Sequence, residues 1–207
     1  NVNPMDDFDM LPRDDVETKV IPTSVMKQIF LYIESLPKDN ISNLRNRLMV
    51  YLLADTAVRL KELRYIEIKN IDIDAGTIYL TQTKTGKHRT VQFHDKTREA
   101  LIDYLNSTSI KQFIMVVPGT NTILHKTTMA DFLDKVKRKL NIPSEISISF
   151  HKFRHTCATL LVENGANIIY VQKLLGHTEL SETQKYVHLS MKNATKQHRE
   201  FSPLNFI

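Results

Sequence analysis

Cysteine is nearly missing from this chain: Cys157 stands alone among 207 residues, so no internal disulfide framework can staple the fold. Long apolar runs are missing too, none approaching the ~20 residues that a membrane-spanning helix needs. The opening stretch NVNPMDDFDMLPRDD has neither the basic head nor the apolar core of a secretory signal. Internal repeats and low-complexity tracts are absent. These absences exclude a disulfide scaffold, a helical membrane protein and a repeat array, and they predict a cytoplasmic protein. What is present is ordinary globular composition, 42% hydrophobic and 25% charged, in a chain long enough for one substantial domain or two small ones.

Positive charge is scarce only at the front. Residues 1–18 hold six acids (Asp6, Asp7, Asp9, Asp14, Asp15 and Glu17) against the single base Arg13. The overall charge of +5 therefore hides a body, residues 19–207, with 27 basic and 17 acidic side chains and a net charge of +10. A basic body is compatible with a polyanionic partner such as nucleic acid, although many basic domains bind none.

Residues 1–21, without periodicity and rich in Asp and Pro, read as an interdomain linker remnant. From Pro22-Thr23-Ser24 the spacing predicts a capped amphipathic helix, VMKQIFLYIESL, and a second through NLRNRLMVYLLADTA. A short helix in VRLKELRYIEIKNID passes into a strand. Asp74-Ala75-Gly76 marks a turn, and TIYLTQ and HRTVQFH alternate apolar and polar residues as half-buried strands joined by TKTGK. Helices follow from Asp95, which is expected to cap the first of them, and from Thr127 to Leu140. Asn141-Ile142-Pro143 stops the second. The last third predicts helices ending at the C-terminal glycines Gly165 and Gly176, then a short helix carrying Tyr186. The fold class expected is α+β, mainly helical, with a small antiparallel three-stranded sheet.

Several polar residues stand at helix ends and loops: Arg59, Lys84, His151, Arg154, His177 and Tyr186. Each alone has a plain reading. Arg59 could pair with Glu62, Lys84 could be a solvated turn residue, and His151 could pack at a helix start. His177 could simply follow a helix cap, and Tyr186 could be a half-buried anchor. His151 and His155, one turn apart, also allow a zinc reading, but no third ligand is evident and Lys, Phe and Arg lie between them where a general-base Glu is expected.

Together these residues suit one chemistry. A phosphodiester opens without a metal when a nucleophile lies in line and guanidinium groups clamp the non-bridging oxygens, whose charge rises in the transition state. Arg59 and Arg154 can clamp. A tyrosine hydroxyl, with an ordinary pKa near ~10, needs a base or a cationic pocket, and the departing 5′ oxygen needs an acid. His151 and Lys84 can supply these.

In TAVRLKEL (56–63), TKTGK (83–87), HKFRHTCATLL (151–161), LLGH (174–177) and Tyr186 within QKYVH, the chain resembles the tyrosine recombinases and integrases. That family's pattern is an arginine in T-G-x-R-x-x-E-L, a lysine in the following hairpin, H-x-x-R-H, an L-G-H turn, and a tyrosine nine residues beyond that histidine. The likeness spans about residues 22–190. It departs at Ala57, where glycine is common, and at Phe153 and Cys157, which replace a usual leucine and aromatic residue and read as core changes.

The resemblance implies a site-specific recombinase that cuts and rejoins double-stranded DNA through a 3′-phosphotyrosyl link, without cofactor, metal or ATP. Tyr186 is the implied nucleophile. Arg59, Arg154 and His177 would hold the phosphoryl oxygens, His151 would act as acid/base, and Lys84 would protonate the leaving oxygen. Glu62 would orient the site, with His155 and His188 as its neighbours. The implied organisation is a catalytic domain over 22–194; the tail, 195–207, with Phe201, Leu204, Phe206 and Ile207, is apolar enough to want a surface and is expected to pack into a neighbouring protomer or back on its own. Also implied are a homotetramer on DNA, a monomer without DNA, accessory directionality factors, and a nucleoid-associated location. Integration or excision of a mobile element, including transposition, is the task expected. Competing readings are a type IB topoisomerase or telomere resolvase, a DNA-binding protein without catalysis, and a metal-dependent nuclease.

Overall fold

The computed structural model describes residues 20–81, 86, 88–177, 182, 183, 186, 202 and 204. Lys84, His188, most of the segment that carries Tyr186 and nearly all of the tail lie outside these residues, as does the linker segment up to residue 19.

Helix α1 (Thr23–Ser35) turns Val25, Met26, Ile29 and Ile33 inward, the stripe that its spacing predicts. It lacks the expected side-chain cap, because the helix starts at Thr23 and Pro22 takes the cap position, its carbonyl accepting the Met26 N–H at 2.9 Å. Ile21, assigned by composition to the linker, is buried, and its N–H donates to Thr156 Oγ1 at 2.9 Å. The folded domain therefore begins before Pro22.

Helix α2 (Ile41–Thr56) is capped by Asn40, whose Oδ1 accepts the N–H groups of Ser42 and Asn43. Every residue from Arg47 to Leu53 is buried, so this helix is apolar nearly all round and runs through the core. It packs against α4 (Asp95–Asn106) and α6 (Phe150–Glu163). Burial of each of Leu48, Leu52 and Leu53 contributes about 1.5–3 kcal/mol. The one charge in that run, Arg47, is paired with Glu34 of α1 at 3.5 Å and Asp103 of α4 at 3.3 Å.

Helix α4 is not capped by Asp95, as expected, but by His94. The difference is tertiary: Asp55, near the end of α2, accepts the His94 N–H and the Thr97 hydroxyl, each at 2.7 Å. A carboxylate from another element thus holds the turn that enters α4, while the His94 ring accepts the Lys96 N–H at 3.4 Å.

Between these helices lie α3 (Leu60–Arg64) and a three-stranded antiparallel sheet, β1 (Ile71–Asp72), β2 (Thr77–Leu80) and β3 (Arg89–Gln92), in the order β1-β2-β3. The register pairs Ile78 with Val91 and Leu80 with Arg89. Gly76 makes the turn between β1 and β2 at φ +66°, where a Cβ would sit 3.0 Å from the Arg98 guanidinium and 3.2 Å from the Phe93 carbonyl. After α4, α5 (Lys126–Lys139) and α6, the chain ends its described regular structure with α7 (Ile168–Leu175), which packs on β3 and α6. No helix among the described residues is long and apolar enough to cross a membrane.

Candidate active site

The site is built at three chain reversals. At the first, α2 stops because Ala57 adopts a left-handed conformation, φ 51° and ψ 27°, which frees the chain to leave the helix axis. This is the position at which the sequence departs from glycine. Arg59, two residues on, is the extended residue before α3. Its backbone N–H donates to Glu62 Oε2 at 2.7 Å and its Nη1 to Glu62 Oε1 at 3.2 Å. The arginine is thereby aimed by its own backbone, and its side chain stays about one-fifth exposed.

The second support is α6. Ser149 caps it, its hydroxyl accepting the Lys152 N–H. One turn in, Arg154 is buried, and its Nη1 donates to the Ala57 carbonyl at 2.6 Å while Nη2 donates to the Leu175 carbonyl. One guanidinium therefore joins the end of α2 to the end of α7. Burial first, then the positive charges of Arg59 and Arg89, push its pKa down to about 9, with Glu62 and Tyr186 opposing; it stays protonated at neutral pH. Phe153 and Cys157, on the same helix, are buried in the core.

Sequence reasoning overlooked Arg89. It lies on the inward face of β3, its side chain 9% exposed. Nη1 and Nη2 donate to the two oxygens of Glu62 at 2.5 and 2.7 Å, and Nε donates to the Leu174 carbonyl at 2.8 Å. A signal was available: Arg89 shares the period-2 face of Val91 and Phe93, so a strand reading already places a charge on the buried side, where it needs a partner. Glu62 is itself buried, and although burial alone would raise its pKa, Arg89 and Arg59 together hold it below the usual carboxylate value.

The third reversal follows α7. Gly176 is left-handed at φ +60°, and a Cβ on it would approach Arg89 Cδ and Nη1 to 3.1 Å. His177 comes next, with Nδ1 2.9 Å from Thr183 Oγ1 and Nε2 3.9 Å from Glu182. Arg59, Arg89 and Arg154 thus converge with Glu62 where α2 and α7 end and β3 begins, three guanidinium groups to one carboxylate. Such an excess of fixed positive charge suits an oxyanion.

Tyr186 is placed differently. Its ring is 2% exposed and belongs to the apolar core cluster, while its hydroxyl lies 2.7 Å from His155 Nδ1. Burial, then Cys157, raises the phenol against the pull of Arg154, to about 12. Its partner His155 follows Arg154 on α6, so the hydroxyl is tied to the helix that carries the buried guanidinium and is not open to solvent. His151, in the first turn of α6, is exposed. Among the described residues no group of three or more His, Cys, Asp or Glu is arranged to hold a metal ion, and His155 of the zinc reading faces Tyr186.

The fold matches solved structures: a XerA recombinase with TM-score 0.71, at 24% identity over 89% of this chain and 65% of that one, and XerH in a post-cleavage complex with its palindromic difH substrate, with TM-score 0.72, at 19% identity over 88% of this chain and 54% of that one. Tyrosine recombinase XerC of Lactobacillus delbrueckii subsp. bulgaricus is 32% identical over 185 residues, which cover 83% of this chain and 59% of XerC. The chain thus spans about six-tenths of the length of that relative. The pattern of the phage integrase family extends over residues 19–193, from the start of the described core past Tyr186, and the chain belongs to that family.

Proposed function

We propose that this chain cleaves and rejoins DNA strands at specific sites through a covalent bond to Tyr186. The observation that carries the reading is the meeting of Arg59 and Arg154 around the Ala57 reversal, with the Tyr186 hydroxyl 2.7 Å from Nδ1 of His155, the residue after Arg154. The tyrosyl oxygen attacks the scissile phosphorus, and the bond to the 5′ oxygen breaks as Lys84 gives that oxygen a proton. Arg59, Arg154 and His177 bind the non-bridging oxygens, and His151 takes the phenolic proton. A 5′ hydroxyl from a partner strand then attacks the phosphotyrosine, giving its proton to Lys84, while His151 returns its proton to the departing Tyr186 oxygen. Bonds broken equal bonds formed, which is why neither ATP nor a redox partner is required.

In the conformation described, Tyr186 is buried and bonded to His155, so the phenol has to leave that contact before it reaches a phosphate. We assign the release to DNA binding, in an assembly of four protomers that a separate DNA-binding region would help to close around the duplex. Residues 22–194 would be the catalytic unit. Integration or excision of a mobile element is the task we favour over resolution of joined DNA circles.

The chemistry is tested with a pool of nicked duplexes carrying randomised cores, in which the cleaved fragment diffuses away and traps the intermediate. The expected result is an SDS-stable protein–DNA adduct that Tyr186→Phe abolishes and EDTA leaves intact. Cleavage that continues in the Tyr186→Phe variant, or that EDTA stops, would overturn the reading. With a selected site, products joined between two separate molecules indicate integration, and deletion within one molecule indicates excision or resolution.

A further inference from the structure

We infer that Arg89 is a positioning residue that keeps the Arg59 guanidinium available to phosphate by occupying Glu62 in its place. The inference rests on the proposed strand-transfer reading and adds a residue to it.

Glu62 is a buried carboxylate with a small set of partners. Arg89 binds both of its oxygens through a two-pronged fork, at 2.5 and 2.7 Å. Arg59 offers it the backbone N–H, at 2.7 Å, but only one side-chain contact, at a longer 3.2 Å. Two guanidiniums thus compete for one carboxylate, and the fork goes to Arg89. A carboxylate left without that fork in a buried site would take the nearest alternative cation bidentately, and Arg59, already in contact, is that cation. Its donating N–H edge would then be spent on Glu62 and turned from an incoming oxyanion.

Arg89 acts at a second point as well. Its Nε takes the Leu174 carbonyl, and Arg154 takes the next one, Leu175. These are adjacent carbonyls at the C-terminal end of α7, where the helix leaves acceptors unpaired. Holding both fixes the direction in which the chain leaves toward His177. The close approach at Gly176, where a Cβ would strike Arg89, shows how tightly the side chain passes beneath that turn. Arg89 begins the strand that follows the TKTGK segment, so one side chain ties the strand after Lys84 to the supports of Arg59 and His177.

A buried arginine that served only packing would leave the rate of chemistry alone once the protein was folded. The competition argument requires more, and it predicts a rescue. Single-turnover cleavage at saturating nicked duplex, the duplex affinity and the melting temperature are measured for wild type, Arg89→Lys, Arg89→Gln, Glu62→Gln and the double variant Arg89→Gln with Glu62→Gln. Arg89→Lys keeps the charge but not the fork and is the variant expected to remain folded. Its cleavage rate should fall by about 100-fold, a loss of the size that misplacement of a reacting group produces, with duplex affinity nearly unchanged. The double variant, which has no carboxylate left to draw Arg59 away, should recover at least about tenfold over Arg89→Gln. Wild-type rates in folded Arg89→Lys, or a double variant no faster than Arg89→Gln at equal folded fraction, overturn the inference. If wild type itself forms no adduct, the strand-transfer reading fails instead.

Discussion

The two halves of the candidate site are held in opposite ways. The guanidinium half is fixed by backbone: Arg154 bridges the carbonyls of Ala57 and Leu175, Arg89 holds that of Leu174, and Arg59 is aimed by its own N–H on Glu62. Arg59 and Arg89 sit where a helix or strand begins and Arg154 lies one turn into α6, each held by backbone or buried partners, so little has to reorganise when an oxyanion arrives. The phenol half is held by burial of the ring in the core cluster and by its hydroxyl against His155 Nδ1. The charge is set in advance, whereas the phenol, the proposed nucleophile, is conditional. On the proposed reading, this division would limit cleavage to moments when something has drawn the tyrosine out.

The largest test of this contrast strikes the fixed half. Arg154→Lys retains a positive charge but cannot serve two diverging carbonyls and a phosphate at once. Adduct formation should fall by about 10²–10³-fold, as when an oxyanion donor is removed. One buried carbonyl is left unpaired, so stability should fall by about 1–3 kcal/mol in a denaturant titration. A variant that cleaves at the wild-type rate would show that the clamp lies elsewhere.

A smaller test reads the conditional half through pH. Folding raises the Tyr186 phenol from its ordinary value near 10 to about 12. Between those values the native state keeps a proton that the unfolded chain has lost, so stability is fully present below pH 10 and declines as pH rises toward 12. The whole effect is at most about 2–3 kcal/mol. Tyr51, Tyr104, Tyr170 and Cys157 move in the same direction, so the measurement is the difference between wild type and Tyr186→Phe across that window. The variant should lose less stability over pH 10–12. Parallel curves would mean that the phenol is as hydrated in the folded protein as in the unfolded chain.

The sequence exposed most of what depends on local periodicity. The buried stripe of α1, the turn at Gly76, the pairing of β2 with β3 and the glycine stops at 165 and 176 all follow from spacing and backbone freedom. It hid what depends on distant partners. Asp95 looked like a cap, but His94 takes that place in a turn held by Asp55, 39 residues away in the chain. Ile21 looked like linker because its partner, Thr156, is 135 residues distant. Arg89 was passed over because it falls between the quoted motifs, although the strand pattern placed it inward. The burial of Tyr186 ran against its segment's polarity, since a single aromatic ring packs into the core without an apolar run around it.

The smallest effect expected is at Ala57, where alanine stands in place of the family's common glycine at φ 51° and the size of the strain can be weighed. A left-handed alanine costs about 1–2 kcal/mol relative to glycine in the same conformation. Against that, glycine gains unfolded-state freedom that costs about 0.5–1 kcal/mol on folding. The alanine methyl is also fully buried and contributes about 0.8 kcal/mol. The terms nearly cancel, so Ala57→Gly should change stability by less than about 1 kcal/mol. The Ala57 carbonyl still accepts from Arg154 in that variant, and adduct formation should therefore stay within about twofold of wild type. A shift of more than about 2 kcal/mol, or a tenfold change in cleavage, would show that the reversal before Arg59 is strained beyond its backbone angles and that the guanidinium half is less rigid than its hydrogen bonds imply.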